Sequence, residues 1–95
     1  MTKRNENTAK LNAANEREIK ASTKNLEVIN KANGQLDEVF SQLADLYDRY
    51  EDGDRRKKAM KGALKKVLSA LSSLAKLREY ENETIQLCQM ECNSL

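Results

Sequence analysis

The stretch YEDGD (residues 50–54) decides the fold, because it is the clearest interruption in a chain rich in helix-forming residues. Gly53 can adopt the left-handed backbone conformation that ends a helix. Asp54 can then cap the next helix, because its side-chain oxygen accepts a hydrogen bond from a backbone N–H. The stretch therefore predicts a tight turn within Glu51–Asp54, centred on residues 52–54, with a long helix on each side.

The composition of the whole chain supports an all-α fold. The 95 residues are enough for one domain at most, and they include no Pro, no Trp, no His and three Gly. Aromatic residues make up 4% and the residues typical of strands are few. We therefore predict an all-α, coiled-coil-like antiparallel helical hairpin that forms one domain over residues 16–95.

Helix 1 is predicted at about residues 16–51. Residues 1–15 are predicted to be a flexible or frayed N-terminus, with ordering only against a partner as the alternative. The Asn33–Gly34 pair is a helix breaker, so a break into a third helix is the alternative. A seam that keeps its phase through this pair favours one continuous helix, with a possible kink. The seam alternates spacings of three and four, as in a heptad repeat, and comprises Ile19, Ser22, Leu26, Ile29, Asn33, Leu36, Phe40, Leu43, Tyr47 and Tyr50.

Helix 2 is predicted at about residues 55–92, and it carries a matching seam. Between Ala59 and Leu77 the apolar residues cover about half of the helix surface, which is wider than one seam. The seam of helix 2 comprises Met60, Leu64, Val67, Leu71, Leu74, Arg78, Glu81, Ile85, Cys88 and Cys92.

Charge is distributed in blocks that fit an antiparallel hairpin. Residues 27–54 carry two basic and eight acidic residues, whereas residues 55–78 carry nine basic and none acidic. Residues 1–26 have a net charge of +3 and residues 79–95 a net charge of −4. Folding at Gly53 places positive blocks beside negative ones, which favours the antiparallel register. Much of the basic block is therefore predicted to be neutralised within the chain.

One hairpin cannot cover the broad apolar surface of helix 2, so we predict self-association, most simply of two hairpins into a four-helix bundle. The alternative is that a different protein docks on the same surface. The predicted self-association or partner surface is Met60, Leu64, Val67, Leu68, Leu71, Leu74 and Leu77.

Three polar residues within the seams are candidates for setting the register, namely Asn33, Arg78 and Glu81. A buried Asn33 can pair with another polar side chain, or Asn33 and Gly34 can simply mark a kink. Arg78 and Glu81 can form a polar layer, or they can lie at the seam edge and reach solvent along their aliphatic stems.

The basic block of helix 2 is a candidate contact for an external anion such as a nucleic-acid backbone. The face lacks interleaved aromatic residues, and a solvated lysine face is the competing interpretation. A membrane-surface helix at residues 55–77 is a further, less favoured alternative. The possible anion contacts are Arg55, Arg56, Lys57, Lys58, Lys61, Lys65, Lys66 and Lys76.

No pattern in the sequence predicts catalysis, a metal site or a cofactor. There is no His, and the carboxylates lie on predicted helix faces without a pocket to shift their pKa. Cys88 and Cys92 share a helix face and are interpreted as small seam residues, with an interchain redox contact as the alternative. The two cysteines and the absence of an apolar leader at the N-terminus predict a reducing, cytoplasmic setting. The predicted function is a non-enzymatic protein–protein interaction module acting as a homo-oligomer, with nucleic-acid binding as the alternative.

Overall fold

The structure, a computed structural model, describes the backbone of residues 2–94 and the side chains of residues 7–92. Two helices, α1 (Thr2–Arg49) and α2 (Arg55–Ser94), form an antiparallel hairpin. No strand occurs in the backbone that the structure describes. The predicted all-α helical hairpin is therefore confirmed, whereas its assembly into a four-helix bundle stays a prediction.

The turn between the helices forms as the sequence predicts. Gly53 has a φ of 91°, in the left-handed region that favours glycine, and the Asp54 N–H donates to the Glu51 carbonyl at 3.1 Å. The Asp54 carboxylate accepts a hydrogen bond from the Arg56 N–H at 2.9 Å, which caps α2 at its second residue. The Lys58 N–H then donates to the Asp54 carbonyl at 3.3 Å, the first bond of the helical pattern.

Helix α1 runs without a break through Asn33 and Gly34, so the favoured continuous helix is confirmed and the three-helix alternative is wrong. Gly34 lies on the exposed side of the helix, where the seam does not need a side chain. Helix α1 begins at Thr2 rather than near residue 16 and ends at Arg49. Whether residues 1–15 fray in solution stays a prediction.

The chain divides into two compact units, and the seam differs between them. Unit 2 comprises residues 29–76, and its seam is apolar and aromatic. Ile29 is 8% exposed and is the buried hydrophobic side chain of the described chain. The remaining seam residues of unit 2 are half-buried, and they are Asn33, Leu36, Phe40, Leu43, Tyr47, Tyr50, Met60, Leu64, Val67, Leu71 and Leu74.

Unit 1 comprises residues 1–28 and 77–95, and its seam is largely polar. Its most buried described side chain is Ser22, at 4% exposure. Three polar atoms are enclosed without a hydrogen-bond partner among the described residues: Asn12 Oδ1, Asn15 Nδ2 and Arg78 Nε. Enclosing an unpaired polar atom costs free energy, so the seam of unit 1 contributes less to stability than an apolar seam of the same length.

Candidate interaction surface

The predicted partner surface on α2 is divided by the hairpin. Five of its seven residues are half-buried seam residues of unit 2, and these are Met60, Leu64, Val67, Leu71 and Leu74. Leu68 and Leu77 remain 51% and 49% exposed. The hairpin seam thus occupies most of the surface that the sequence analysis assigned to a partner.

A second apolar stripe lies on α2 within unit 1, and Leu77 is its one member in the predicted self-association or partner surface. Leu77, Tyr80, Thr84 and Leu87 recur at spacings of three and four, parallel to the seam. Tyr80 is 61% exposed and Leu87 is 66% exposed. In a heptad whose seam occupies positions a and d, these four residues occupy g and c.

Helix α1 carries a matching stripe at its own g and c positions in unit 1. Val28 is 69% exposed and Leu11 is 43% exposed, and Ala14 and Ala21 between them are also exposed. The g and c positions of both helices lie on the same side of an antiparallel pair, because like flanks face each other. We call this side of unit 1 the outer face, defined by Leu11, Ala14, Ala21, Val28, Leu77, Tyr80 and Leu87.

A cross-helix contact supports this assignment. Asn25, at position g of α1, donates a hydrogen bond from Nδ2 to Glu81 Oε1 of α2 at 3.2 Å. Glu81 occupies position d, which borders the g side of α2. The second polar residue of the α1 stripe is Glu18, whose charge acts on the Cys88 thiol of α2. Asn25 is therefore engaged within the hairpin, whereas Glu18 is exposed and lies near the Cys88 thiol.

Charged residues border the outer face, and they differ in sign between its two edges. On the α1 edge, every f position from residue 7 to residue 28 is basic, namely Lys10, Arg17 and Lys24. On the α2 edge, Glu83 occupies the f position within residues 77–87, and Glu79 occupies the b position, which lies beyond f and farther from the face. All five side chains are exposed. The outer face therefore has one basic edge and one acidic edge.

The turn engages two of the predicted anion contacts within the chain. Lys57 Nζ lies 2.9 Å from Asp52 Oδ1 and 4.7 Å from the centre of the Tyr47 ring. Arg56 Nη2 lies 2.8 Å from Asp54 Oδ2, and its guanidinium lies 4.7 Å from the centre of the Tyr50 ring. Arg56 and Lys57 are therefore paired with carboxylates and stacked on aromatic rings.

These pairs shift the pKa values of their members. The hydrogen bond from Lys57 lowers the pKa of Asp52, and the bonds from the Arg56 side chain and backbone lower the pKa of Asp54. The same hydrogen bonds raise the pKa values of Lys57 and Arg56. All four groups therefore stay charged around neutral pH, and they form two ion pairs at the turn.

The other predicted anion contacts remain exposed. None of the remaining basic side chains of this block forms an ion pair with a described residue, so the facing acidic block does not neutralise them by direct contact. These contacts are Arg55, Lys58, Lys61, Lys65, Lys66 and Lys76. An open depression of about 460 Å³ beside the turn is lined by Arg55, Lys57, Lys58 and Lys61 and also by Asp52 and Asp54. The two carboxylates reduce the positive charge of this depression and so weaken its attraction for an anion.

The polar seam residues have different partners. Asn33 Nδ2 donates to Asp37 Oδ2 at 3.2 Å, one turn along the same helix, so it does not pair with α2. Glu81 accepts the bond from Asn25 of α1, whereas the enclosed Nε of Arg78 has no hydrogen-bond partner among the described residues. Of the three residues predicted to set the register, Glu81 is the one that bonds the opposite helix.

Cys88 and Cys92 are half-buried free thiols in the seam of unit 1. Burial, with a smaller effect of the Glu18 charge, raises the pKa of the Cys88 thiol. A raised pKa reduces the thiolate fraction and hence the reactivity of this cysteine.

Within the described residues, no group of three or more His, Cys, Asp or Glu side chains is arranged to hold a metal ion.

Neither helix, over the residues described, has an apolar stretch long enough to cross a membrane.

In comparisons with known proteins, the chain matches no family model, no curated protein and no solved structure. Functional proposals for this chain therefore depend on its own residues.

The stability of the turn is expected to depend on pH in the acid range. The pKa of Asp54 in the folded state is below its ordinary value of 3.8, so the stability it contributes is present above pH 3.8. This contribution is lost as the pH falls through the lowered pKa. The Asp54→Asn variant keeps a capping side chain but cannot form the ion pair with Arg56.

Thermal unfolding of the wild type and Asp54→Asn, followed by circular dichroism from about pH 7 to about pH 2, checks this expectation. The variant should have the lower melting temperature at neutral pH, and the difference should shrink as Asp54 becomes protonated. A difference that stays constant down to the lowest pH would show that the Asp54 charge does not stabilise the fold.

Proposed function

We propose that the chain is a non-enzymatic helical protein–protein interaction module that acts as a homo-oligomer. The observation that supports this function best is the set of exposed apolar side chains on the outer face. Val28, Tyr80 and Leu87 are each more than 60% exposed although they recur in register with apolar neighbours. A contiguous exposed apolar surface on a small soluble domain is typical of an interaction site.

The shallow core of the hairpin supports the same proposal. No described side chain is completely shielded from solvent. Ile29, at 8% exposure, is the only hydrophobic residue in the described part of the chain that is buried. A two-helix hairpin buries one seam per helix, and covering each further Leu contributes roughly 1.5–3 kcal/mol. Exposed ion pairs contribute only roughly 0.2–1 kcal/mol each to stability. Burying the second apolar surface against a partner therefore contributes more free energy than these ion pairs do.

Sedimentation velocity over a range of protein concentrations tests self-association directly. We expect a species heavier than the monomer that becomes more populated as the concentration rises. An apolar dye such as ANS should bind the dilute protein and be displaced on association. A monomer at every concentration that also binds no dye would argue against any apolar interaction surface.

The partner in the cell can also be a different protein, in which case the module works as a scaffold, adaptor, chaperone or inhibitor. A monomer that binds the dye would favour this version, because the apolar surface would then be open and not self-complementary. A reducing, cytoplasmic setting stays a prediction based on the two cysteines.

Nucleic-acid binding is the second candidate function, and the exposed basic side chains of α2 favour it. Lys61, Lys65, Lys66 and Lys76 form no ion pair with any described residue. Contacts of lysine with phosphate weaken steeply as salt rises, because they release bound counterions. Titration with DNA and RNA at low and moderate salt separates the candidates, since absence of binding at low salt would exclude this one.

A further inference from the structure

We propose that the outer face of unit 1 is a self-docking surface. A second copy of this chain packs on it about a two-fold axis parallel to the helices, so that α1 of each copy lies against α2 of the other. This inference rests on the proposed function and deepens it, because it names the surface, the occupant and the arrangement.

The apolar content of the outer face supports docking there rather than on the side of Leu68. Leu11, Val28, Leu77, Tyr80 and Leu87 are at least 43% exposed and all occupy g or c positions in unit 1. The opposite flank carries Leu68 on α2 with exposed Lys61 and Ala75 one heptad either side of it. One isolated leucine offers less apolar area than five residues on a common face.

The polar seam of unit 1 is a second reason. Arg78 Nε, Asn12 Oδ1 and Asn15 Nδ2 are enclosed without partners among the described residues, so the seam between the two helices contributes less here. A segment whose own seam is weak gains most from an additional apolar contact on another face. The exposed stripe lies on the same two segments, residues 11–28 and 77–87.

The charges at the edges of the outer face identify a second copy as the occupant. Lys10, Arg17 and Lys24 border it on α1, and Glu83 borders it on α2. A two-fold axis parallel to the helices exchanges the two edges, so Lys24 on the basic edge of one copy meets Glu83 on the acidic edge of the other. A surface with one basic and one acidic edge is therefore complementary to itself in this arrangement.

The rival two-fold arrangement is disfavoured by the same charges. An axis perpendicular to the helices would place α1 against α1 and bring the two basic edges together. The axis parallel to the helices keeps each residue at its own height along the bundle. Asn25 bonds Glu81 within one hairpin, so Lys24 of one copy lies at about the height of Glu83 of the second copy. These two residues are the expected ion pair across the contact.

The test uses the full chain and two matched leucine variants, Leu87→Glu and Leu68→Glu, measured by sedimentation equilibrium. Both leucines are exposed, at 66% and 51%, so circular dichroism should show an intact hairpin for both. We expect Leu87→Glu to raise the dimer dissociation constant at least about 100-fold. In a two-fold symmetric dimer the substitution removes the buried leucine from both halves of the contact. Leu68→Glu should leave the dissociation constant within about threefold of the wild type.

Charge reversal tests the arrangement. Lys24→Glu and Glu83→Lys should each raise the dissociation constant roughly 2- to 30-fold at low salt, since two rim pairs are lost. The double variant should restore dimerisation because it exchanges the charges of the pair. Glu16→Lys, an exposed residue on the opposite flank of α1, changes the net charge as Glu83→Lys does and serves as its control.

The outcomes separate this inference from the proposed function. Dissociation by Leu68→Glu but not by Leu87→Glu would overturn the docking surface and leave self-association intact. Failure of the double variant to recover would overturn the arrangement of α1 against α2. A wild type that is monomeric at all concentrations would overturn both the inference and the homo-oligomeric part of the proposed function.

Discussion

Replacing Ile29 with Ala is expected to lower the free energy of unfolding by about 2–4 kcal/mol. Ile29 is 8% exposed and is the most buried apolar side chain of the described chain. The substitution removes apolar area from the seam and leaves a space that two packed helices close only in part. Urea denaturation followed by circular dichroism at a fixed protein concentration measures the loss.

The neighbouring residue provides the matched control. Val28 precedes Ile29 on the same helix and is 69% exposed. Val28→Ala should change the free energy of unfolding by less than about 0.5 kcal/mol at a protein concentration low enough for the chain to be monomeric, because Val28 belongs to the outer face. Similar losses for the two variants would mean that α1 does not present this seam to α2.

Replacing Gly53 with Val is the second change with a large expected effect, a loss of about 1–3 kcal/mol in the free energy of unfolding. Gly53 has a φ of 91°, and a β-branched residue rarely adopts such a conformation. No atom lies within 4 Å of a Cβ built at this position, so the loss would come from the backbone and not from a steric clash. Thermal and urea unfolding measure it.

The two helical glycines make the comparison specific. Gly34 and Gly62 also have no atom within 4 Å of a built Cβ, but they lie within α1 and α2 with ordinary backbone angles. Gly34→Ala and Gly62→Ala should each raise the free energy of unfolding by roughly 0.5–1 kcal/mol, because Ala costs less backbone entropy in a helix. If Gly53→Val were neutral, the left-handed turn would not be needed for the hairpin.

The sequence was sufficient for the turn, for the presence of two long helices and for the seam, because each depends on local rules, whereas it placed the start of α1 near residue 16 instead of Thr2. Glycine adopts the left-handed conformation of the turn without steric strain, and Asp54 follows it as a capping residue. The heptad spacing identifies the half-buried rows on both helices, and its phase through Asn33 correctly predicts an unbroken α1. These features need no knowledge of distant contacts.

The contacts between charged groups were less predictable. Opposite charge blocks do face each other, yet Lys65, Lys66 and Lys76 occupy b, c and f positions that point away from the other helix. Their distance from the acidic residues of α1 exceeds that of an ion pair, so block charge sets only a general preference for the antiparallel register. The stacking of Lys57 on Tyr47 was also missed, although Lys57 lies one heptad before Leu64 in the seam.

The outer face was missed for a different reason. The apolar residues of α2 between residues 59 and 77 are more than one seam needs, and their seven large members were all assigned to a self-association or partner surface. The hairpin itself uses most of them, whereas Tyr80 and Leu87 lie beyond that window. The signal that could have found them is the second row of Leu77, Tyr80, Thr84 and Leu87, which keeps the spacing of the seam at an offset phase.

The seam and the outer face use different heptad positions, and this has a consequence for how the sequence can evolve. The seam uses positions a and d, and the outer face uses g and c, so no residue belongs to both. A substitution at Tyr80 or Leu87 changes the outer face without changing the packing of the hairpin. A substitution at Ile29 changes the packing of the hairpin without changing the outer face. In the proposed arrangement, folding and assembly therefore depend on different residues, on which selection can act one at a time.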